Sequence, residues 1–210
     1  MKKYLFLILI AGLSVGFADA QKKEKLFNGK DLSNWNFVVE NNSVPAEQVY
    51  SVKGGVIQIE GTLGYMYTKK KYGNCTLELE WRWVDEATNS GIFLLIEEAK
   101  NPFPNGIECQ LRAGYAGDFV LLGGSDLAEY RQPEGEARPP FPVVTKRATS
   151  NEKPVGEWNK AKIHIHDGHI TVHINGLLQN TGTNRVKEGY IGLQSEGKRI
   201  QFRHVTVTPE

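Results

Sequence analysis

Carboxylate and amide side chains recur at two-residue spacing in segments that otherwise alternate like β-strands. Glu108 and Gln110 fall on one side of such a segment and Cys109 on the other, because successive strand residues point to opposite faces. Gln194 and Glu196 repeat this spacing further along the chain. A sheet of such strands would display carboxylates and amides in a row on one concave face. That arrangement is typical of a sugar-binding surface.

Two carboxylates on one face are the groups that glycosidic bond cleavage requires, and Glu108 and Glu196 form the candidate catalytic pair. A partly desolvated face would raise the pKa of Glu108 towards neutrality, which suits a general acid or base. Amides that donate hydrogen bonds to sugar oxygens and cations that neutralise an oxyanion complete the site. These predicted substrate-binding residues are Gln110, Arg112, Lys153 and Gln194.

Trp158 and three histidines are further candidates. Trp158 either organises the entry to a strand or stacks on a sugar ring, and His164, His166 and His173 occupy polar-facing positions on adjacent predicted strands. His-x-His can place two imidazoles on one metal, but no third ligand follows at a recognisable zinc spacing, so we assign no metal ligands. We assign His166 and His173 to substrate binding. A structural or catalytic divalent cation such as calcium is expected more than a transition metal, without identified ligands.

The elements that must position these residues are short strands, and no segment shows a sustained helical period of apolar residues. Many alternating segments separated by Gly-rich turns predict an all-β sandwich or barrel. The predicted strands are 50–52, 56–60, 74–84, 91–98, 106–112, 160–166, 170–175, 190–194 and 199–207. Gly54-Gly55 and Asn175-Gly176 predict hairpin turns. Residues 113–155 predict a long loop, either a binding loop or an exposed insertion.

The first twenty residues have the features of a signal peptide. A basic start and an apolar run precede Ala18-Asp19-Ala20, which predicts cleavage after Ala20 and a periplasmic or secreted protein. No Cys follows the apolar run to carry a lipid, so no membrane anchor is expected. Residues 21–25 then form a charged tail, and 26–210 form a single β-sandwich domain.

The net charge bears on which partners the chain could bind, and the two cysteines bear on whether it contains a disulfide. The chain has 25 basic and 24 acidic residues, a net charge of +1, which argues against nucleic acid as a partner. Cys75 and Cys109 both fall on apolar strand faces. They are either two small core residues or a disulfide, which an exported protein could retain.

Several of these segments together resemble the secreted 3-keto-disaccharide hydrolase domain family. The resemblance runs from Leu26 to Thr208, and the pieces that carry it are Leu-Phe-Asn-Gly-Lys-Asp-Leu-Ser-Asn-Trp at 26–35, Asn-Ser-Gly-Ile at 89–92, Glu-Cys-Gln at 108–110, Lys-Pro-Val-Gly-Glu-Trp-Asn at 153–159, Asn-Gly at 175–176, Ile-Gly-Leu-Gln-Ser-Glu-Gly at 191–197 and Phe-Arg-His-Val at 202–205. It implies a concanavalin-like jelly-roll sandwich of two curved antiparallel sheets. This chain departs from the family pattern in the middle residue of Glu108-Cys109-Gln110 and in lacking the Asp that often follows it.

The resemblance also implies a carbohydrate-active enzyme that cleaves 3-keto-glycosides or 3-keto-disaccharides, by elimination and then hydration. A sugar 3-dehydrogenase would act upstream, because another protein must make the ketone. A hydratase limited to the enone intermediate would use the same residues. The alternative from a different class is a non-catalytic carbohydrate-binding module, which Tyr65, Tyr67 and Tyr72 would suit.

Overall fold

The computed structural model describes residues 22–210, so the predicted signal peptide and Gln21 lie outside the described residues. The chain forms a sandwich of two antiparallel sheets, as the strand pattern predicts. The only α-helix in 22–210 is the single turn α1 (Ala46–Val49), next to a 3₁₀ turn at Glu40–Asn42. No helix of this part of the chain is long and apolar enough to cross a membrane.

One sheet has eight strands, in the order β13-β12-β11-β6-β15-β4-β3, with β1 paired to β15. The strands of this eight-stranded sheet are β1 (Glu24–Lys25), β3 (Tyr50–Lys53), β4 (Val56–Ile59), β6 (Cys75–Trp83), β11 (Asn159–His166), β12 (His169–Ile174), β13 (Leu177–Thr183) and β15 (Ile200–Pro209).

The other sheet has seven strands, in the order β10-β9-β8-β7-β14-β5-β2. The strands of this seven-stranded sheet are β2 (Trp35–Val39), β5 (Gly64–Thr68), β7 (Gly91–Ile96), β8 (Gly106–Gln110), β9 (Phe119–Leu122), β10 (Val143–Val144) and β14 (Tyr190–Ser195). The segment 113–155, predicted as one long loop, therefore contributes β9 and β10.

Local sequence explains how the sheets fold. The burial of β6 alternates strictly along its nine residues, because its apolar side chains point into the sandwich and its polar ones point out. The β3–β4 hairpin turns at Gly54 (φ 59°) and Gly55 (φ 75°), a left-handed pair that glycine adopts freely. Asn175 (φ 49°) and Gly176 (φ 84°) form the same turn between β12 and β13, so both predicted hairpins are confirmed.

The main core fills the space between the sheets and includes Trp81, Phe202 and Leu193. Cys75 on β6 and Cys109 on β8 are both buried in it as free thiols. Burial is the main reason that the pKa of each thiol is raised, to about 12 for Cys75. The reading of the two cysteines as small core residues is confirmed.

A second apolar cluster lies on the outer face of the seven-stranded sheet and contains Tyr65, Phe93, Ile96, Val120 and Leu122. Side chains from the β7–β8 connection, including that of Phe103, pack on this cluster. The Phe103 ring also contacts Phe141, with 5.0 Å between ring centroids. The outer face of this sheet is therefore partly covered, so polar residues on it can be buried.

Candidate functional site

Glu108 lies on the outer face of the seven-stranded sheet. It pairs with Phe93 on β7 and Val120 on β9, both of which belong to the outer cluster. Its neighbour Cys109 pairs with Ile92, and both of those side chains belong to the main core. The predicted register, with Glu108 and Cys109 on opposite faces, is confirmed. Glu108 is nevertheless only 3% exposed, because the outer face is covered.

The Glu108 carboxyl occupies the space above Gly91 on the neighbouring strand. A Cβ atom on Gly91 would lie 2.3 Å from Oε1 of Glu108. Gly91 pairs with Gln110 on one side, and the β7–β14 register, extended by one residue, places Gly91 beside Gln194 on the other. The carboxyl therefore lies between the two predicted amide residues.

Burial and charge both favour the protonated form of Glu108. Burial is the larger cause and repulsion by the Glu196 carboxylate the second, and together they raise the pKa of Glu108 to about 8. Within residues 22–210, no group donates a hydrogen bond to its Oε1 atom, which is buried. At neutral pH Glu108 is thus mainly a carboxylic acid, able to give a proton to a bound ligand.

Gln194 holds the second carboxylate, that of Glu196, by a hydrogen bond. Its Nε2 donates to Oε2 of Glu196 at 2.7 Å, and its backbone carbonyl accepts a hydrogen bond from the Ser90 hydroxyl at 2.9 Å. Gln194 is 1% exposed, whereas Glu196 lies just beyond the end of β14 and is half-buried. The structure therefore brings the predicted catalytic pair into one neighbourhood and orients Glu196 through an amide.

Gln110 and Arg112 lie where β8 ends. Oε1 of Gln110 accepts the backbone N–H groups of Leu111 and Arg112, both at 2.9 Å, so its Nε2 is left for a ligand oxygen. The Arg112 guanidinium lies 4.7 Å from the centroid of the exposed Tyr115 ring. Arg112 and Tyr115 line an open cavity of about 480 Å³ at this end of the sheet.

Three residues of this neighbourhood are not among the predicted catalytic or substrate-binding residues, and Tyr65 is predicted only for the binding-module alternative. Asn89 lines the open cavity, and its buried Oδ1 has no hydrogen-bond donor within residues 22–210. Gly91 makes room for Glu108. Tyr65 pairs with Gln194 across β5 and β14, and its buried hydroxyl has no partner among the described residues. Asn89 and Gly91 belong to the Asn-Ser-Gly-Ile segment quoted above, but only the strand pairing reveals what they adjoin.

The other predicted substrate-binding residues lie elsewhere. Trp158 packs on the outer face of the eight-stranded sheet, with its ring 4.6 Å from the Arg82 guanidinium and 4.0 Å from that of Arg203. His166 and His173 lie on β11 and β12 of the same sheet. The Lys153 side chain is exposed in the loop before β11. The predicted residues thus divide between two faces of the sandwich.

The described residues do not fit a metal site formed by charged side chains. In 22–210, no group of three or more His, Cys, Asp or Glu side chains is arranged to hold a metal ion. His164 and His166 instead share the Glu210 carboxylate, with His166 Nδ1 donating to Oε2 at 2.6 Å.

Two comparisons with known proteins cover most of this chain. The model of the 3-keto-alpha-glucoside-1,2-lyase-like domain matches residues 22–208. A 3-keto-disaccharide hydrolase of Bacteroides thetaiotaomicron is 25% identical over 90% of this chain and 79% of its own length.

Solved structures share the sandwich at lower identity. One is a putative glycosyl hydrolase from Parabacteroides distasonis, with a TM-score of 0.65 and 20% identity over 90% of this chain and 94% of that one. Another is the Bacillus licheniformis β-glucanase, with a TM-score of 0.55 and 10% identity over 89% and 96% of the two chains. The fold is the concanavalin-like jelly roll that the sequence predicts.

Proposed function

The chain belongs to the family of 3-keto-alpha-glucoside-1,2-lyase-like domains, and we propose that it cleaves 3-keto-glycosides by elimination and then hydration. The observation that carries this proposal is the buried carboxyl of Glu108, with a raised pKa, beside the carboxylate of Glu196. Glu108 is mainly protonated, and the negative charge of Glu196 contributes to the rise in its pKa. That is the pairing that simultaneous acid and base catalysis requires.

The substrate chemistry explains why such a pair suffices. A ketone at C3 acidifies the hydrogen on C2, so a carboxylate can remove it. The electron pair of the C2–H bond then forms the C1–C2 double bond through an enolate, and the C1–O bond breaks. The leaving oxygen needs a proton, and the product is a 1,2-unsaturated 3-keto sugar.

We assign the proton donor to Glu108 and the acceptor to Glu196. The Glu196 carboxylate, held by Nε2 of Gln194, takes the C2 proton. The carboxylic acid of Glu108 protonates the glycosidic oxygen as it leaves. The developing enolate oxygen accepts hydrogen bonds from Nε2 of Gln110 and from Arg112, which lines the open cavity where β8 ends.

Hydration reverses these roles. After elimination Glu108 is ionised and Glu196 carries the C2 proton. Glu108 then takes a proton from the water that adds at C1. Glu196 is half-buried, so its carboxyl proton exchanges with solvent before the group gives a proton to C2. Both groups regain their starting states, and the sum of the two steps is hydrolysis of the glycosidic bond. No step is assigned to calcium.

The proposal implies an enzyme that acts before this protein and a location outside the cytoplasm. Because the C3 ketone must come from oxidation of a sugar hydroxyl, a sugar 3-dehydrogenase would supply the substrate. We infer from residues 1–20 that the chain is exported to the periplasm or beyond and begins at Gln21. Mass spectrometry of the protein recovered from the producing cells tests this inference, and a mass that retains Met1 to Ala20 would contradict it.

The decisive experiment compares one disaccharide with and without the C3 ketone. The 3-keto-disaccharide should release free sugar, whereas the unoxidised disaccharide should not, because its C2 hydrogen is not acidic. In D₂O the keto-sugar product should carry deuterium at C2, since hydration returns a solvent-exchanged proton there. Release without deuterium would contradict elimination and favour direct hydrolysis by the two carboxylates.

The carbohydrate-binding module is the alternative that the same experiment addresses. Binding of glycans without turnover of any keto-sugar would support that alternative.

A further inference from the structure

A groove of about 760 Å³ crosses the outer face of the eight-stranded sheet, away from the Glu108 site. Its walls come from β6, β11, β12 and β15, whose outward side chains are polar. Among the described residues that line the groove there is no Trp, Tyr or Phe. Neutral sugar rings are commonly held against aromatic faces, so this groove suits a ligand recognised by charge and hydrogen bonds.

The two acidic side chains of the groove are already paired with cations. Glu78 contacts Lys23 at 2.5 Å, and this hydrogen bond is the main reason that its pKa is lowered. Burial acts to raise the pKa of Glu80, but the hydrogen bond and charge of Arg203, at 2.6 Å, outweigh it and the pKa is lowered. Lys160 lies 3.7 Å from Glu80 as well. Both carboxylates are therefore ionised and neutralised within the protein.

Two basic side chains of the groove remain available. Lys162 and His173 face each other across β11 and β12, and neither has a side-chain hydrogen bond or ion pair within residues 22–210. The hydroxyl-bearing residues Thr171 and Thr206 line the groove beside them. The lining thus offers free donors and a surplus of positive charge, although the whole chain is nearly neutral.

His204 also lines the groove because of an irregularity in β15. The β15–β6 register shifts between Arg203 and Thr206, and His204 adopts a left-handed conformation (φ 54°) within this bulge. Bulges re-aim side chains, and here the bulge leaves the His204 side chain 70% exposed at 3.4 Å from Glu80. A further donor is thereby added to the groove.

We propose that this groove is a second glycan site, which binds an acidic oligosaccharide through Lys162 and His173. Lys162 pairs with Glu78 across β11 and β6 and helps Lys23 to lower the pKa of Glu78. Carboxylate or sulfate groups on the sugar would give Lys162 and His173 the direct ion pairs that they lack within residues 22–210. The site is separate from Glu108, so it would hold an acidic glycan whether or not the chain turns over keto-sugars.

Affinity electrophoresis and calorimetry with three probes test the proposal. The probes are an oligogalacturonate, a sulfated dextran oligosaccharide and the same dextran without sulfate. The wild type should bind at least one acidic probe and not the neutral one, and the acidic probe that binds identifies the charged group. The double variant Lys162→Ala/His173→Ala should weaken that binding by about tenfold, equivalent to about 1.4 kcal/mol.

Lys53→Ala is the matched control, because Lys53 is exposed on β3 of the same sheet but does not line the groove. When all proteins are measured at the same ionic strength, Lys53→Ala should change the affinity for the acidic probe by less than about twofold. The single variants Lys162→Ala and His173→Ala are measured as well. A thermal melting curve for each shows whether weaker binding comes from a lost contact or from a loss of folding. Failure of the wild type to bind either acidic probe, equal binding of neutral dextran, or an equal loss in Lys53→Ala would each overturn the proposal. Acidic-probe binding by Glu108→Gln should equal that of the wild type.

Discussion

The missing side chain of Gly91 leaves the space that the Glu108 carboxyl fills: a Cβ atom on Gly91 would lie 2.3 Å from Oε1 and 2.7 Å from the carboxyl carbon. The φ angle of Gly91 is not in the left-handed region, so a side chain there meets a steric obstacle but no backbone strain. Two residues on neighbouring strands therefore define where the acidic group lies.

Gly91→Ala should displace the Glu108 carboxyl while leaving the fold intact, since the group that must move is the end of a flexible side chain. We expect turnover of a 3-keto-disaccharide to fall by at least about tenfold, because small misplacements of catalytic groups are costly. The control is Gly192→Ala on the same outer face, whose Cβ would approach Ile96 and Phe93 at 3.2 Å but not Glu108. Equal turnover in the two folded variants would contradict the assigned position of the acid.

Glu108→Gln should lower turnover by roughly two to four orders of magnitude, because an amide keeps the shape of the group but cannot transfer the proton. Substrate binding should change far less. Gln194→Ala should cost less than Glu108→Gln, since it removes only the hydrogen bond that orients Glu196. Steady-state kinetics with thermal melting measure both effects. Turnover near that of the wild type in folded Glu108→Gln would remove Glu108 from the mechanism.

Glu196→Gln tests the coupling between the two carboxyls. Repulsion by Glu196 is the second cause of the raised pKa of Glu108, so its removal should lower that pKa. The alkaline fall in residual activity should then shift towards lower pH than in the wild type. A pH–rate profile of each protein measures the shift, and an unchanged alkaline limb would show that the two groups do not interact.

The alternation of apolar and polar residues was enough to predict an all-β sandwich or barrel, the strands β6 and β8, and the opposite faces of Glu108 and Cys109. The jelly-roll sandwich itself followed from the family resemblance. Alternation could not predict that Glu108 is buried. That burial depends on Phe93 and Val120, which lie on neighbouring strands, and on the cluster that Phe103 covers from the β7–β8 connection. Local patterns carry no information on such contacts.

The same limit explains why the predicted binding residues divide between two faces. Alternation tells which residues share a face of one strand, but not which sheet the strand joins. His173 and Gln194 both look outward from their strands, yet β12 and β14 belong to different sheets. The sequence could not predict that Gly91 leaves space for Glu108 for the same reason, because Gly91 lies on β7 and Glu108 on β8.

Trp158→Ala should leave the KM for a 3-keto-disaccharide within about twofold of the wild type, since Trp158 lies on the eight-stranded sheet. It should instead reduce stability by about 0.5–2 kcal/mol, because Trp158 packs on the guanidinium groups of Arg82 and Arg203. Denaturant unfolding and steady-state kinetics measure the two quantities. A large rise in KM without loss of stability would place Trp158 in the substrate site, as the sequence alone predicts.

The free energy of unfolding should depend on pH through Glu108, and the sign follows from its pKa. The pKa is about 8 in the folded chain and about 4.3 in the unfolded chain, so the folded state retains a proton that the unfolded state loses between these values. This contribution to stability is complete below about pH 4.3 and is lost as the pH rises through 8, at about 1.4 kcal/mol per pH unit. Glu108→Gln lacks the titrating group, whereas all other groups are common to both proteins. Urea unfolding from pH 5 to 9 should therefore show the wild type losing stability relative to Glu108→Gln as the pH rises, and parallel curves would mean that Glu108 is ionised in the folded protein.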